Sequence, residues 1–292
     1  MVAVGVVGLG NMGSALAANL VGAGHAVVGH DAAGPARAPA GVDHVASVAD
    51  VARAVDVIVC SLPDGRASEM VAGELLMTDD RITTHVVDTS TVGVAASRHV
   101  DALLADEGIV YVDAPVSGGV AGARARTLAV MYAADDDACA HVEPILSGLS
   151  DYRYRVGDRA GLAQAMKLAN NFLSATALIA TSEAIAFGVE EGLDMTIMLE
   201  VLNGSSGRSA ATSDKFPNHV LTGRYASGFT NSLMAKDTQL YLQAVADRGA
   251  PSTVGAITTA VWDAFAAESP GADFTRIYPF TCMHPFGTQE ER

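Results

Sequence analysis

Apolar residues in the first half of the chain come in short unbroken runs. Each run is followed by a longer stretch in which apolar and polar positions mix at helical spacing. Residues 2–7 form the first run, and a helix is predicted over 11–23, ended by Gly22-Ala23-Gly24. Residues 26–30 form the second run and lead into Asp31. The alternation continues with a strand over 55–63, a helix from about 64 to 76, a strand over 84–91, a helix over 93–106 and a strand over 108–116. Residues 126–134 and 152–157 read as two further strands, added antiparallel at an edge. Runs that are apolar throughout fit strands covered on both faces. Their alternation with helices predicts a doubly wound parallel sheet.

After residue 157 the pattern changes. Residues 161–191 hold almost no helix breaker except Gly188, which predicts one helix of about 45 Å at ~1.5 Å per residue. Further helices are predicted near 194–202, 209–221, 231–248 and 252–267, with no more strand runs. The fold class expected is α/β, with an N-terminal Rossmann-type domain over 1–160. An all-helical domain over 161–292 follows, with the long helix between the domains. A ligand cleft between two such halves is the default expectation. The apolar stretch 173–187 is interrupted by Glu183 and four hydroxyl residues. It is too short and too polar to span a bilayer and reads as a buried helix.

Composition narrows the function classes. Apolar residues make up 50% and charged residues 17%, a globular balance. The formal net charge of −15 argues against nucleic acid or an anionic membrane as partner, since both need surplus Lys and Arg. The N-terminus lacks the positive region of a signal peptide. Cys60, Cys139 and Cys282 lie far apart without zinc spacing, which fits a reducing cytoplasm. The eight histidines include no H-x-x-x-H pair, so no metal site is expected.

Gly8, Gly10 and Gly13 stand at G-x-G-x-x-G spacing between a predicted strand and a predicted helix. Asp31 ends the next strand, 21 residues after Gly10. That combination is the dinucleotide fingerprint. Gly8 permits the turn, Gly10 lets the backbone approach a pyrophosphate, and Gly13 allows helix–strand packing. The helix N-terminus supplies N–H groups to the phosphates. Asp31 suits the ribose hydroxyls and repels a 2′-phosphate, favouring NAD over NADP. A flavin dinucleotide is compatible with the same motif.

Three other stretches carry chemistry. "DAPVSGG" (113–119) ends a strand, where ligand crevices form. Its Ser117, Gly118 and Gly119 make either a carboxylate-binding nest or an ordinary turn. In "QAMKLANN" (164–171), Lys167 is the lone charge between Gly161 and Ser182, and Asn171 shares its helix face. Such a lysine either snorkels to water or, desolvated, becomes an acid/base near neutral pH. Asn170 points about 100° away from that face at helical spacing, a structural position. In "LMAKDTQL" (233–240), Lys236 and Asp237 read as a surface ion pair.

Taken in order, "GLGNMG", "DAPVSGG", "GLAQAMKLANN" and "FTNSLMAKD" resemble the motifs of the β-hydroxyacid dehydrogenase family over nearly the whole chain to about residue 268. The resemblance implies NAD(P)-dependent oxidation of a small β-hydroxyacid, or reduction of its semialdehyde. It implies Lys167 as the catalytic residue, with Asn171 beside it. Ser117, Gly118, Gly119 and Asp237 fall on the substrate side. Gly8, Gly10, Asn11, Met12, Gly13, Asp31, Leu62, Pro63, Thr91 and Lys236 fall on the cofactor side. It also implies a homodimer or homotetramer.

The chain departs from that pattern in three places. Arg126 replaces the usual glycine before "TL"; with Arg124 it is either solvated or set to meet a second anionic group on the substrate. "AAGPARAP" (32–39) puts a proline-broken loop where a short helix is expected, and Arg37 in it keeps NADP as an alternative. The segment 274–292 carries Phe and Tyr that suggest docking on a neighbouring surface, or a disordered end. Two competing functions share the architecture: an imine reductase, against which Lys167 speaks, and a non-catalytic dinucleotide-binding protein.

Overall fold

A computed structural model of the chain describes residues 3–284. It divides into two compact units, Met1–Lys167 and Leu168–Arg292. The first unit runs β1 (Ala3–Val7), α1 (Asn11–Gly22), β2 (Ala26–His30), β3 (Val42–His44), α2 (Val48–Ala54), β4 (Val57–Cys60), α3 (Gly65–Leu76), β5 (His85–Asp88), α4 (Val94–Ala105) and β6 (Val110–Asp113). It closes with β7 (Val116–Ser117), α5 (Gly119–Arg124), β8 (Ala129–Ala133), α6 (Asp136–Leu149) and β9 (Tyr152–Gly157). The sheet order is β3-β2-β1-β4-β5-β6-β8-β7, and β9 pairs with β8. The first six strands run parallel. β8 is antiparallel to β6 and β7, whereas β9 runs parallel to β8.

Successive side chains of a strand point to opposite faces, and the two cores of this unit follow from that. Val4, Val6, Val57 and Val59 pack with Leu16 and Leu20 of α1 and Val142 and Leu146 of α6. Val7, Ile58 and Cys60 pack on the other face with Val51 of α2, Leu75 of α3 and Leu104 of α4. Fully burying one such Leu is worth about 1.5–3 kcal/mol. The sheet is therefore doubly wound, as its runs predict. β3, α2 and α6 lie where the apolar pattern predicts no element. The loop after Asp31 is wound into a short 3-10 turn, Pro35–Arg37.

Arg126 corrects an expectation. Its backbone is left-handed, at φ 58°, which explains why a glycine suits this position. Its guanidinium is one-third exposed and is held by acceptors of the protein itself. Nη1 donates to the Gly148 carbonyl at 2.5 Å, and Nη2 donates to Ser147 O at 2.7 Å and Asp151 Oδ1 at 3.1 Å. These bonds close the last turn of α6, where carbonyls lack helical partners and a cation is favoured. Arg124, at the end of α5, is exposed. We expect Arg126→Ala to destabilise the chain by about 2 kcal/mol, because strain stays and charged hydrogen bonds go. Arg126→Gly should recover about 1 kcal/mol of that by removing the strain. Urea midpoints of the two variants check this, and equal midpoints refute the strain argument.

The second unit is helical. α7 (Leu162–Glu190) starts in the first unit and continues through this one. α8 (Met195–Asn203), a π-helical segment (Ala211–Val220), α9 (Asn231–Ala246), α10 (Thr253–Glu268) and α11 (Ile277–Met283) follow. Leu178 and Ile185 of α7 pack with Phe216, Trp262 and Phe265. Among the described residues α7 is also the one helix long and apolar enough to cross a membrane by length and composition. The window 173–187 is thus too narrow a test of that helix. Nor is α7 buried along its length, since Leu173 and Phe187 are 66% and 69% exposed.

The end of the chain is a second correction. Phe274, Ile277 and Phe280 are buried in the core of this same unit. Phe274 N donates to Phe229 O at 2.9 Å. Asp273 Oδ2 accepts from Ser227 N at 2.7 Å and Gly228 N at 3.1 Å. The aromatic residues dock on their own unit rather than on a neighbour. Residues 285–292 of the same segment lie outside the described residues.

Candidate active site

Parallel strands present their C-terminal ends at one edge of the sheet, and the order reverses between β1 and β4. That switch point is where α/β sheets bind ligands. Here it holds a cavity of about 510 Å³ in the first unit. Gly8, Gly10, Asn11, Met12, Gly13, Asp31, Leu62 and Pro63 all line it. Thr91 lies in the loop after β5 and Lys236 on α9; neither is among the lining residues. The lining also includes Ala67, Met70 and Val71 of α3, which motif reading misses. Their signal is only positional: α3 follows β4 directly.

The glycines explain the shape. Gly8 has φ 89°, and a Cβ there would overlap the Ser61 carbonyl; a Cβ on Gly13 would overlap the Gly8 carbonyl. Gly10 meets nothing within 4 Å, so a side chain there would enter open space rather than protein. No side chain caps α1, and no acid stands in its first turn. Its N–H groups and positive dipole end are left to an anion. Asp31 Oδ2 accepts from Leu9 N at 2.6 Å and Oδ1 from Ala33 N at 2.8 Å. Those bonds fix its carboxylate at the cavity rim with a lone pair to spare on each oxygen. Arg37 is exposed in the turn beyond. The donor set fits a dinucleotide: a side-chain-free phosphate cradle, a helix N-terminus and an acid at the ribose distance in sequence.

Ser117 ends β7, and Gly118 and Gly119 follow with φ 132° and 67°. Two successive left-handed positions hold this turn open in a way L side chains resist. A Cβ on Gly118 would also press on Leu128 at 3.1 Å.

Lys167 lies on α7 and is only 6% exposed, a rare position for lysine. Asn171, one turn later, is 5% exposed. Its Nδ2 donates to Asp237 Oδ2 at 2.6 Å, and its Oδ1 accepts from Asn170 Nδ2 at 3.1 Å. The amide of Asn171 is therefore held at both ends, and Asn170 is its support. Asp237 is buried, and Lys236 Nζ stands 3.4 Å from its Oδ1. The pair is not a surface ion pair, because its acid is 3% exposed.

Two residues outside the sequence-predicted set stand at the start of α7. Asp113, at the end of β6, accepts from Gly161 N at 2.9 Å, Gln164 N at 3.1 Å and Gln164 Nε2 at 2.8 Å. Burial pushes its carboxyl up to about 6, against the pull of those hydrogen bonds, and the charge of Asp88 adds to the rise. Gln164 is fully buried. Its Oε1 accepts from Val92 N and Gly93 N, and its Nε2 also donates to Ser90 O.

Residues 3–157 match a family model described as the NAD binding domain of 6-phosphogluconate dehydrogenase. Residues 161–281 match one described as the NAD-binding domain of NADP-dependent 3-hydroxyisobutyrate dehydrogenase. A probable 3-hydroxyisobutyrate dehydrogenase of Mycobacterium tuberculosis is 35% identical over 95% of this chain and 97% of its own length. The 2-(hydroxymethyl)glutarate dehydrogenase of Eubacterium barkeri is 34% identical over 92% of this chain and 91% of its own. A solved structure of the M. tuberculosis 3-hydroxyisobutyrate dehydrogenase with L-serine superposes with a TM-score of 0.89 at 33% identity, covering 96% of this chain and 99% of that one.

Proposed function

This chain belongs to the β-hydroxyacid dehydrogenase family, and from that premise we propose that it oxidises a small β-hydroxyacid to its semialdehyde, or runs the reverse reduction. It is an NAD(P)-dependent oxidoreductase acting on CH–OH groups. The observation that carries the finer reading is the burial of Lys167 on α7, one turn before an asparagine held by Asp237. A buried amine is expensive to desolvate, and an acid/base role accounts for its place.

Gly8, Gly10 and Gly13, the first turn of α1, Asp31, Leu62 and Pro63 would hold the dinucleotide. The bound nicotinamide supplies the hydride acceptor. The substrate carboxylate is received by the Ser117–Gly119 turn, whose backbone N–H groups suit an anion. The amine of Lys167 hydrogen-bonds the β-hydroxyl and takes its proton as the carbonyl forms. In the reductive direction the ammonium returns that proton to the alkoxide oxygen. Asn171, fixed by Asp237 and Asn170, orients the hydroxyl. General acid–base assistance of this kind is worth about 10²–10⁴-fold. Asp31 favours NAD, because its carboxylate repels a 2′-phosphate.

A spectrophotometric panel tests the reading. The full chain is assayed with NAD and with NADP against 3-hydroxyisobutyrate, L-serine, D-glycerate, 3-hydroxypropionate, 4-hydroxybutyrate and a sulfonated analogue. We expect turnover of at least one β-hydroxyacid, faster with NAD. No turnover of any of them refutes the reading; a preference for NADP refutes the role given to Asp31.

We also propose a homo-oligomer. Leu173, Phe187, Leu193, Ile197 and Val201 in the second unit are each more than half exposed, apolar side chains that a second copy would cover. Sedimentation of the chain as a monomer at micromolar concentration removes this proposal. A reducing cytoplasm remains our proposed location, supported by three free thiols, two of them buried.

A further inference from the structure

We infer that Gln164 is a positioning residue for the reaction, joining the cofactor-side loop after β5 to the first turn of α7, one turn before Lys167. The inference rests on the function proposed above.

A side-chain amide has two acceptor lone pairs and two N–H donors, and Gln164 uses all four. Oε1 accepts from Val92 N at 3.0 Å and Gly93 N at 3.1 Å. Nε2 donates to Ser90 O at 3.0 Å and Asp113 Oδ1 at 2.8 Å. The set is directional: rotating the amide would place donor against donor and acceptor against acceptor. No apolar side chain of the same size meets those four backbone and carboxylate groups, and each left unmet while buried is costly.

The network reaches further on both sides. Ser90, which gives its carbonyl to Gln164, accepts with Oγ from Leu62 N at 2.7 Å. Leu62 lines the dinucleotide cavity. On the other side Asp113 Oδ2 accepts from Gly161 N and Gln164 N. An acceptor from another strand thus satisfies the opening N–H groups of α7. The amide joins the Ser90–Gly93 loop, the end of β6 and the start of the helix directly, and the Ser90 hydroxyl carries the link on to the Leu62 loop. Lys167 follows Gln164 by three residues on a continuous helix, so its Cα position is set by that first turn. A misplacement of about 1 Å at a reacting group is enough to lose up to about 10²-fold in rate.

The test uses Gln164→Leu and Gln164→Glu in the full chain, assayed with a hydroxyacid that the wild type oxidises. Folding is followed by circular dichroism, and NADH affinity by its fluorescence on binding. We expect folded Gln164→Leu to bind NADH within about threefold of wild type but to lose about tenfold or more in kcat. The isotope effect on hydride transfer from deuterated substrate should rise as that step becomes limiting. In Gln164→Glu the new carboxylate faces Asp113 and the Ser90 carbonyl, with Asp88 on the adjoining strand and the Tyr111 hydroxyl behind. Relative to wild type at each pH, its activity should be lowest at pH 8 and rise towards pH 5.5 as the pair takes up a proton. A folded Gln164→Leu with kcat near wild type overturns the inference. So does an NADH affinity loss as large as the kcat loss, or a Gln164→Glu pH profile parallel to wild type. Failure of both variants to fold makes Gln164 a folding residue and likewise overturns it. A wild type that oxidises no hydroxyacid ends the proposed function and this inference together, whereas wild-type turnover with unimpaired variants ends this inference alone.

Discussion

Lys167→Ala should lower kcat by about 10²–10⁴-fold while NADH binding stays close to wild type. The two halves of that expectation have separate grounds. The cavity lined by the α1 glycines and Asp31 does not include Lys167, so removing the amine leaves the dinucleotide contacts standing. In the proposed mechanism the loss in turnover comes from the missing proton acceptor at the β-hydroxyl oxygen. Lys167→Arg separates the two things an ammonium can do. A guanidinium keeps the positive charge but does not give up its proton in the working pH range. If Lys167 served only to hold an anion, the arginine variant would keep much of the activity. Proton relay predicts that it loses nearly as much as the alanine variant. Steady-state kinetics with NADH titration decides, and undiminished turnover in Lys167→Ala removes the lysine from the mechanism.

The second large effect contrasts two glycines three residues apart. Gly13→Ala should cost about 3 kcal/mol, the upper part of the range for overpacking. Its methyl would overlap the Gly8 carbonyl, which is backbone and has little room to yield. Gly10→Ala should cost less, about 0.5–1 kcal/mol, because Gly10 is the N-cap of α1 and alanine is a poorer cap than glycine. The backbone there, φ −64° and ψ −167°, suits any residue, and no atom lies within 4 Å of the added carbon. The same methyl stands where the pyrophosphate must approach, so NADH affinity should fall by about tenfold or more, some 1.4 kcal/mol. Urea denaturation and NADH titration of both variants check the contrast. A Gly10→Ala protein with wild-type affinity would place the phosphates elsewhere.

Much of the fold is legible along the chain because its signals are local. The apolar runs of β1, β2, β4, β5 and β6 and the glycine turn between β1 and α1 need only neighbouring residues to be read. β3 is hidden because it spans three residues, Val42–His44, with a single aliphatic among them. α6 is hidden behind its acids and Pro144, although Asp135 caps it by accepting from Ala138 N at 2.8 Å. α2 carries a readable cap: Ser47 Oγ accepts from Asp50 N at 3.1 Å. The candidate site divides in the same way. The dinucleotide residues sit in one contiguous motif, one acid a strand later and the Leu62-Pro63 pair after β4. Asp113 and Gln164 are silent in the sequence, since each is ordinary where it stands and their meeting spans 51 positions. Arg126 shows as an odd residue, but the carbonyls that receive it come from α6.

The burial of Phe274, Ile277 and Phe280 in the helical core has a consequence for biosynthesis. The ribosome adds about 5–20 residues per second and domains fold as units, the N-terminal one first. The sheet-bearing unit is complete in sequence once Lys167 has emerged. The helical unit lacks three core side chains until more than a hundred further residues are made. A message cut short before Phe274 would thus release a chain with one native half and one half still open to proteases.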